Sequence, residues 1–499
     1  MPPSSPLVKI ATLRTPADFR AHVAALGISL PCDDQILPRT DSPLTRPVPG
    51  LVINGKRPGN RLVIHPMEGW DATESGGVTA EVRRRWTRFG ESGAKLIFGG
   101  EAMAVRADGR ANPRQLIIQE ANLAGLAGLR ETLVEAHRRL HGSTDDLVIG
   151  FQLTHSGRFC RPTAASPPEP RVAFRHPLLD ARFGVTSDAQ VFSDDELDRL
   201  VEDYVKAAGV AWRAGADFVD LKHCHGYLLH ELLAAHTRPG RYGGSFENRT
   251  RFLRDTVAAI RAAGNPIAIA VRLSAFDLVP FIPDPATSRP GKTGTGVPAP
   301  FAGCLPYRLG FGVNEQNPLE PDLTETFRFT ELCARLGITM LNLTAGSPYY
   351  NPHIQRPAAF PPSDGYQPPE DPLCGVARQI NAVREIKTRC PAGLVVIGTG
   401  YSYLQEFLPL VAQAVVREGW TDLVGIGRMV LSYPGIFTDA LSSGGLRRSL
   451  ICRTLSDCTT APRKGLISGC YPLDDYYRTK PEAAQLKAAK APPGASPAP

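Results

Sequence analysis

Lys222, His225 and Tyr227 lie within six residues of chain, straight after the apolar run 216–221. An ammonium, an imidazole and a phenol at such spacing can polarise a substrate oxygen and pass a proton. The same lysine could instead act as a Schiff-base nucleophile. A loop bearing Gly240, Gly243 and Gly244 follows. A strand that runs out into ionisable groups and then a glycine-rich loop suggests a site at the C-terminal rim of a barrel. Further along, Gly398-Thr-Gly400 and Gly427-Arg428 close two other apolar runs. Small-residue turns leave backbone N–H groups free, a helix N-terminus adds its dipole, and Arg428 adds a charged fork. That combination suits phosphate. Taken alone, it equally suits tight turns that join strands to helices.

Eight short apolar runs could position these groups, at 61–64, 95–98, 147–153, 218–221, 267–273, 340–343, 394–397 and 422–426. Stretches with helical periodicity follow most of them, at 79–92, 193–214, 247–263, 323–336 and 403–418. Ser193-Asp-Asp-Glu196 has the spacing of a capping box that starts the second of these. Strands alternating with helices pair in parallel. The predicted fold class is α/β, a (β/α)8 TIM barrel over residues 51–445 with long rim insertions. Residues 1–50 form an N-terminal extension with one helix near 16–26. Residues 446–480 form a Cys-containing C-terminal segment. Residues 481–499 lack aromatic side chains and are expected to be a disordered tail. The Pro-rich stretch 161–192 and the Pro- and Gly-rich stretch 275–321 follow strands, so both belong on the catalytic rim.

Reading just past each strand collects the candidate site. It gives His65, Pro66, Met67 and Glu68, then Glu101 and Ala102, then Gln152 and His155. Lys222, His225 and Tyr227 come next, followed by Arg272. Gly398, Gly400, Gly427 and Arg428 complete the set.

Several segments, in this order, resemble the Old Yellow Enzyme family, the FMN-dependent ene reductases. They are NRLVIHPMEG (60–69), LIFGGEAMAV (96–105), GFQLTHSGR (150–158), HGYLLHELL (225–233) with YGGSFENR (242–249), AVRLS (270–274) and DLVGIGRMVLSYP (422–434). The barrel part is similar to the dienoyl-CoA reductase type. The resemblance implies FMN across the barrel mouth and NADH or NADPH as reductant. Pro66, Met67 and Glu68 would lie along the flavin, and Ala102 and Gln152 on its pyrimidine side. Arg272 would sit near the flavin N1 region, where positive charge stabilises the anionic reduced form. Gly398, Gly400, Gly427 and Arg428 would hold the phosphate. Lys222 and His225 would polarise an electron-poor alkene's activating group, and Tyr227 would protonate its α-carbon after hydride reaches the β-carbon.

The chain departs from that family at three places. Lys222 stands where the family normally has His, a mobile point charge in place of a fixed ring donor. It could favour a carboxylate or thioester substrate. Glu68 stands where many relatives have a small polar residue; an acid there would lower the flavin potential. Cys452, Cys458 and Cys470 occupy the place of a four-Cys iron–sulfur motif, with the extra Cys missing near Leu455. Four thiolates are the usual requirement, so no cluster is expected unless Cys390 or another Cys completes the set in space, and no metal site is assigned.

Composition narrows the alternatives. The 499 residues are 42% hydrophobic and 21% charged with a net charge of +7, an ordinary globular balance. No basic block points to nucleic acid. No apolar run reaches the roughly 18 residues of a membrane span. The opening residues lack an apolar secretory core, and the ten cysteines are mostly scattered singly, so a cytoplasmic location is expected. The expected partners are a small-molecule substrate and a nicotinamide cofactor; the oligomeric state is not legible. Two other readings remain: a Schiff-base lyase or aldolase using Lys222, and a flavin-binding redox partner with little turnover.

Overall fold

The structure, a computed structural model, describes residues 7–164, 167–442 and 445–490. Eight parallel strands close into a barrel. They are β1 (Leu62–Ile64), β2 (Leu96–Ile97), β3 (Val148–Thr154), β4 (Phe218–His223), β5 (Ala268–Ser274), β6 (Met340–Thr344), β7 (Val395–Gly398) and β8 (Leu423–Ile426). β1 pairs with β8, and β2 pairs with β3, so the ring has no open edge. Each of the eight predicted apolar runs is one strand of this (β/α)8 barrel.

Strand parity explains both the core and the site. Phe218, Ala270 and Met340 belong to the inner apolar cluster; Val219, Val271 and Leu341, one residue later, pack with the surrounding helices. Strands buried on both faces need apolar residues at both parities, which is why these runs read as nearly continuous. Val48, Leu51 and Ile53 from the N-terminal extension join the inner cluster. Two residues further along each strand, the inward positions become polar: Asp220, Arg272 and Asn342. Register then sets Lys222 beside Arg272 and Arg272 beside Asn342.

The helices are where the periodicity puts them, with informative exceptions. Ser193 caps Asp194–Arg213 through a full capping box, its Oγ accepting from the Glu196 amide at 3.2 Å. The stretch 247–263 is two helices, Phe246–Arg249 and Arg251–Ala262, broken at Thr250. The stretch 403–418 begins as a 3-10 turn, Tyr401–Phe407, and becomes α-helical at Leu408–Arg417. Two further helices, Leu123–His141 and Pro372–Arg389, complete the outer layer. Among the described residues no helix is long and apolar enough to cross a membrane.

The C-terminal tail needs correction. Residues 481–499 were expected to be disordered, yet Pro481–Lys490 is helical. Leu486 is buried against Ala461, Tyr471 and Tyr477, so the preceding segment supplies the aromatic surface that the tail itself lacks. Residues 491–499 lie outside the described residues. That preceding segment is fastened to the barrel: Asp474 receives Arg84 at 2.7 Å, and the Ser468 amide donates to Asp71 at 2.7 Å.

Candidate active site

The polar inward layer opens into a cleft at the C-terminal ends of the strands. Pro66, Met67, Glu68, Gln152, Lys222, His225, Tyr227, Arg272, Gly400, Gly427 and Arg428 all line it. Ala102 and Gly398 do not. Ala102 is sealed in the wall, its amide donating to the Met67 carbonyl at 2.9 Å and its own carbonyl accepting from Gln115. Gly398 closes β7 where a Cβ would meet the Tyr401 hydroxyl at 2.7 Å.

Asp220 organises the floor. It accepts from Gln152 Nε2 and from the Arg272 amide, both at 2.6 Å. Burial pushes its carboxyl up to about 7, opposed by the Gln152 hydrogen bond and the charges of Arg272 and Lys222. Arg272 Nη1 donates to the Pro66 carbonyl at 3.0 Å, while its Nε is buried without a protein partner. Burial lowers the Arg272 pKa. His65 contacts Asn342 at 3.0 Å through Nδ1, and its Nε2 is also buried and unpaired.

Above this floor stand the three groups singled out from sequence. Lys222 Nζ bonds Glu68 Oε1, and the same ammonium lies 3.5 Å from the centroid of the Tyr227 ring. Glu68 Oε2 accepts from Trp70 Nε1 at 3.0 Å. Lys222 therefore pairs with Glu68. Burial, then the nearby Glu68 carboxylate, push the Tyr227 phenol well above its ordinary pKa, so it holds its proton. Its hydroxyl lies 2.7 Å from that of Tyr349. His225 is held neutral: burial and the charges of Arg272 and Lys222 drive its pKa far down. It occupies left-handed backbone (φ 67°), a costly conformation for a residue other than glycine. Its amide donates to Ser274 Oγ at 3.0 Å, and its carbonyl accepts from Ser347 Oγ at 2.7 Å. The backbone is pinned so that the ring faces the cleft.

The far end of the cleft is cationic. Gly400 takes φ 93°, which favours glycine, and a Cβ on Gly427 would meet nothing within 4 Å. Arg428 bonds Thr459 Oγ1, and burial with the neighbouring charge of Arg356 lowers its pKa to about 9. Arg463, Ser456 and Thr459 from the C-terminal segment surround the same region. Cys452 and Cys458 are near Arg428. Among the described residues no group of three or more His, Cys, Asp or Glu side chains is gathered for a metal ion.

Behind Glu68, Arg85 bridges two buried carboxylates, Asp71 at 2.8 Å and Glu101 at 3.2 Å. Burial raises Asp71 to about 6 and Glu101 to about 7 despite the arginine. Arg85→Met should cost about 3–5 kcal/mol, because both acids lose their cation. These folded pKa values lie above the unfolded ones, so protonation relieves the penalty below about 6 and the penalty grows as pH rises through 7. Urea unfolding at pH 5 and pH 8 checks this; equal losses at both would remove the charge argument.

Residues 53–282 match the family described as NADH:flavin oxidoreductase / NADH oxidase. That match takes in under half of the chain. An NADH:flavin oxidoreductase of Gibberella zeae is 29% identical over 255 residues, covering 46% of this chain and 56% of that one. An NADPH dehydrogenase of Bacillus subtilis is 30% identical over 224 residues, covering 44% and 60%. The matched region thus spans under two thirds of these relatives. Among solved structures, a 2-naphthoyl-CoA reductase complex aligns with TM-score 0.61 at 17% identity, covering 89% of this chain and 58% of that one. Morphinone reductase in complex with tetrahydroNAD aligns with TM-score 0.51 at 21% identity, covering 81% and 92%. These two likenesses are of fold.

Three further residues, Tyr349, Arg356 and Arg463, also line the cleft. Tyr349 follows β6, so the strand-end rule applied to β6 points to it directly. Arg356 and Arg463 lie far from any strand end and carry no such signal. His155 sits away from the cleft, its ring edge-on to Phe192 and its pKa lowered to about 4 by burial.

Proposed function

We propose that the chain is an FMN-dependent NAD(P)H oxidoreductase acting on activated alkenes or related small electrophiles. The observation that carries this reading is a protonated, buried Tyr227 beside neutral His225 and cationic Lys222, all opening into one cleft. The residues present fit FMN. Arg272 Nε and His65 Nε2 are buried donors or acceptors left without protein partners at the cleft floor. Gly400, Gly427 and Arg428 offer backbone and charge for a phosphate at the other end. When bound, FMN carries hydride from the nicotinamide to the substrate.

The protein's own groups do the rest. Lys222 and His225 polarise the substrate's activating oxygen, which accumulates charge as the bond to carbon forms. Tyr227 then delivers its proton to the α-carbon. Glu68 neutralises Lys222, which makes the pair a poor receptor for a free carboxylate and a better one for a carbonyl or thioester oxygen. The Schiff-base reading is disfavoured by the same contact. The ammonium is engaged by Glu68 and seated over the Tyr227 ring, whereas a nucleophilic lysine must present a free amine.

The test is the visible absorption spectrum of the purified protein, taken anaerobically before and after adding NADPH or NADH. A flavin band that bleaches is expected. A flavin that stays oxidised with both nucleotides would favour a redox partner with little turnover. A colourless protein that fails to take up FMN would overturn the proposal.

A further inference from the structure

Tyr227 is 1% exposed, so it has little contact with bulk water. Its hydroxyl instead meets that of Tyr349 at 2.7 Å. Tyr349 is partly exposed, and three segments hold it in place. Its ring stacks on Phe159 with centroids 3.9 Å apart. Its carbonyl accepts from Arg182 at 2.8 Å. From the C-terminal segment, Arg463 lies 5.4 Å from the ring and donates to the adjacent Pro348 carbonyl at 3.2 Å.

We propose that Tyr349 relays the proton that Tyr227 delivers, so that two hydroxyl protons move in the alkene step. The inference rests on the proton-donor role proposed above for Tyr227. As the Tyr227 O–H bond breaks and a C–H bond forms at the substrate's α-carbon, the Tyr349 O–H bond breaks and restores that of Tyr227. The negative charge passes from the substrate to Tyr349, and water on its exposed side returns a proton. No electrons are transferred in this exchange.

The charges around the pair favour that direction. Glu68 opposes a phenolate at both rings. Arg463 favours one at Tyr349, and Asp364, paired to Arg463 at 2.7 Å, opposes it more weakly. Lys222 sits over Tyr227, but its charge is shared with Glu68.

The experiment follows re-oxidation of the pre-reduced holoenzyme by an enone in mixtures of H2O and D2O, using stopped flow. The wild-type rate should curve with deuterium fraction, as two moving protons require. Tyr349→Phe retains the ring stacking; it should slow this step by about tenfold or more, make the dependence linear and leave reduction by NADPH unchanged. A linear wild-type dependence, or a variant matching wild type in rate and curvature, overturns the relay. If Tyr227→Phe itself has no effect, the underlying donor assignment fails instead. Should Tyr349→Phe not fold, Arg463→Met must move the pH dependence of the alkene step upward; no movement overturns the relay.

Discussion

Tyr227→Phe is expected to slow alkene reduction by about 10²–10⁴-fold, the usual worth of a positioned acid. The same variant should accept hydride from NADPH at nearly the wild-type rate. The asymmetry follows from where the proton is needed. Hydride transfer from nicotinamide calls for no acid at the substrate carbon, whereas completing the alkene reduction does. Within the cleft Tyr227 is a buried phenol that keeps its proton, because burial and Glu68 both oppose its ionisation. His225 is held neutral by burial and by the charges of Arg272 and Lys222, which suits it to donating a hydrogen bond. The substitution removes one hydroxyl and keeps the ring. The T-shaped contact with Phe159, at 5.7 Å, and the Lys222 ammonium over the face can persist. Stopped-flow measurement of both half-reactions decides the matter. Equal losses in the two would remove the proton-donor role.

The floor of this site was legible because barrel strands impose a period of two. Once 218–221 and 267–273 are strands, Asp220 and Arg272 share the inward parity of Phe218 and Ala270. The segments around His225 and Arg272 carried the chemistry and the resemblance together. Other parts depend on contacts that no local pattern encodes. Lys222 and Glu68 lie 154 positions apart, and either could have paired elsewhere. Ala102 and Gly398 occupy the matching positions in sequence yet face the wall, because the chain makes a hydrogen bond at one and packs a tyrosine at the other. The helix Leu123–His141 is separated from β2 by the short strand Ala102–Ala104 and a long loop, which hides the alternation that marked the others. Pro481–Lys490 folds only because Tyr471 and Tyr477 await Leu486. Tertiary partners of this kind are invisible to composition.

The Lys222–Glu68 contact also changes what the departures mean. Each residue alone would shift the site strongly, one by adding a cation at the substrate oxygen and the other by adding an anion beside the cofactor. Together they are a neutral pair, braced by Trp70 on one side and the Tyr227 ring on the other. The net positive charge of the site therefore lies with Arg272 at the floor and Arg428 and Arg356 at the far end of the cleft.

That distribution makes Arg272 the residue whose loss should most disturb cofactor binding. Arg272→Met keeps the length of the side chain but removes its charge and its donors. The Pro66 carbonyl loses a partner at 3.0 Å, which frees the turn carrying Met67 and Glu68. The unpaired Nε, the donor best placed to meet a polar edge of the flavin, is gone as well. A hydrogen bond to a charged group contributes about 1.5–3 kcal/mol, so FMN should bind roughly 10–100-fold more weakly. Asp220 keeps its bonds from Gln152 and from the backbone at position 272, so the barrel should remain folded. Loss of the cation also makes the site less welcoming to added negative charge, so the bound flavin should be harder to reduce. Fluorescence titration of FMN and the midpoint potential of the holoenzyme measure the two effects separately. If both stay at their wild-type values, Arg272 is a structural ion of the barrel floor and the cofactor lies elsewhere in the cleft.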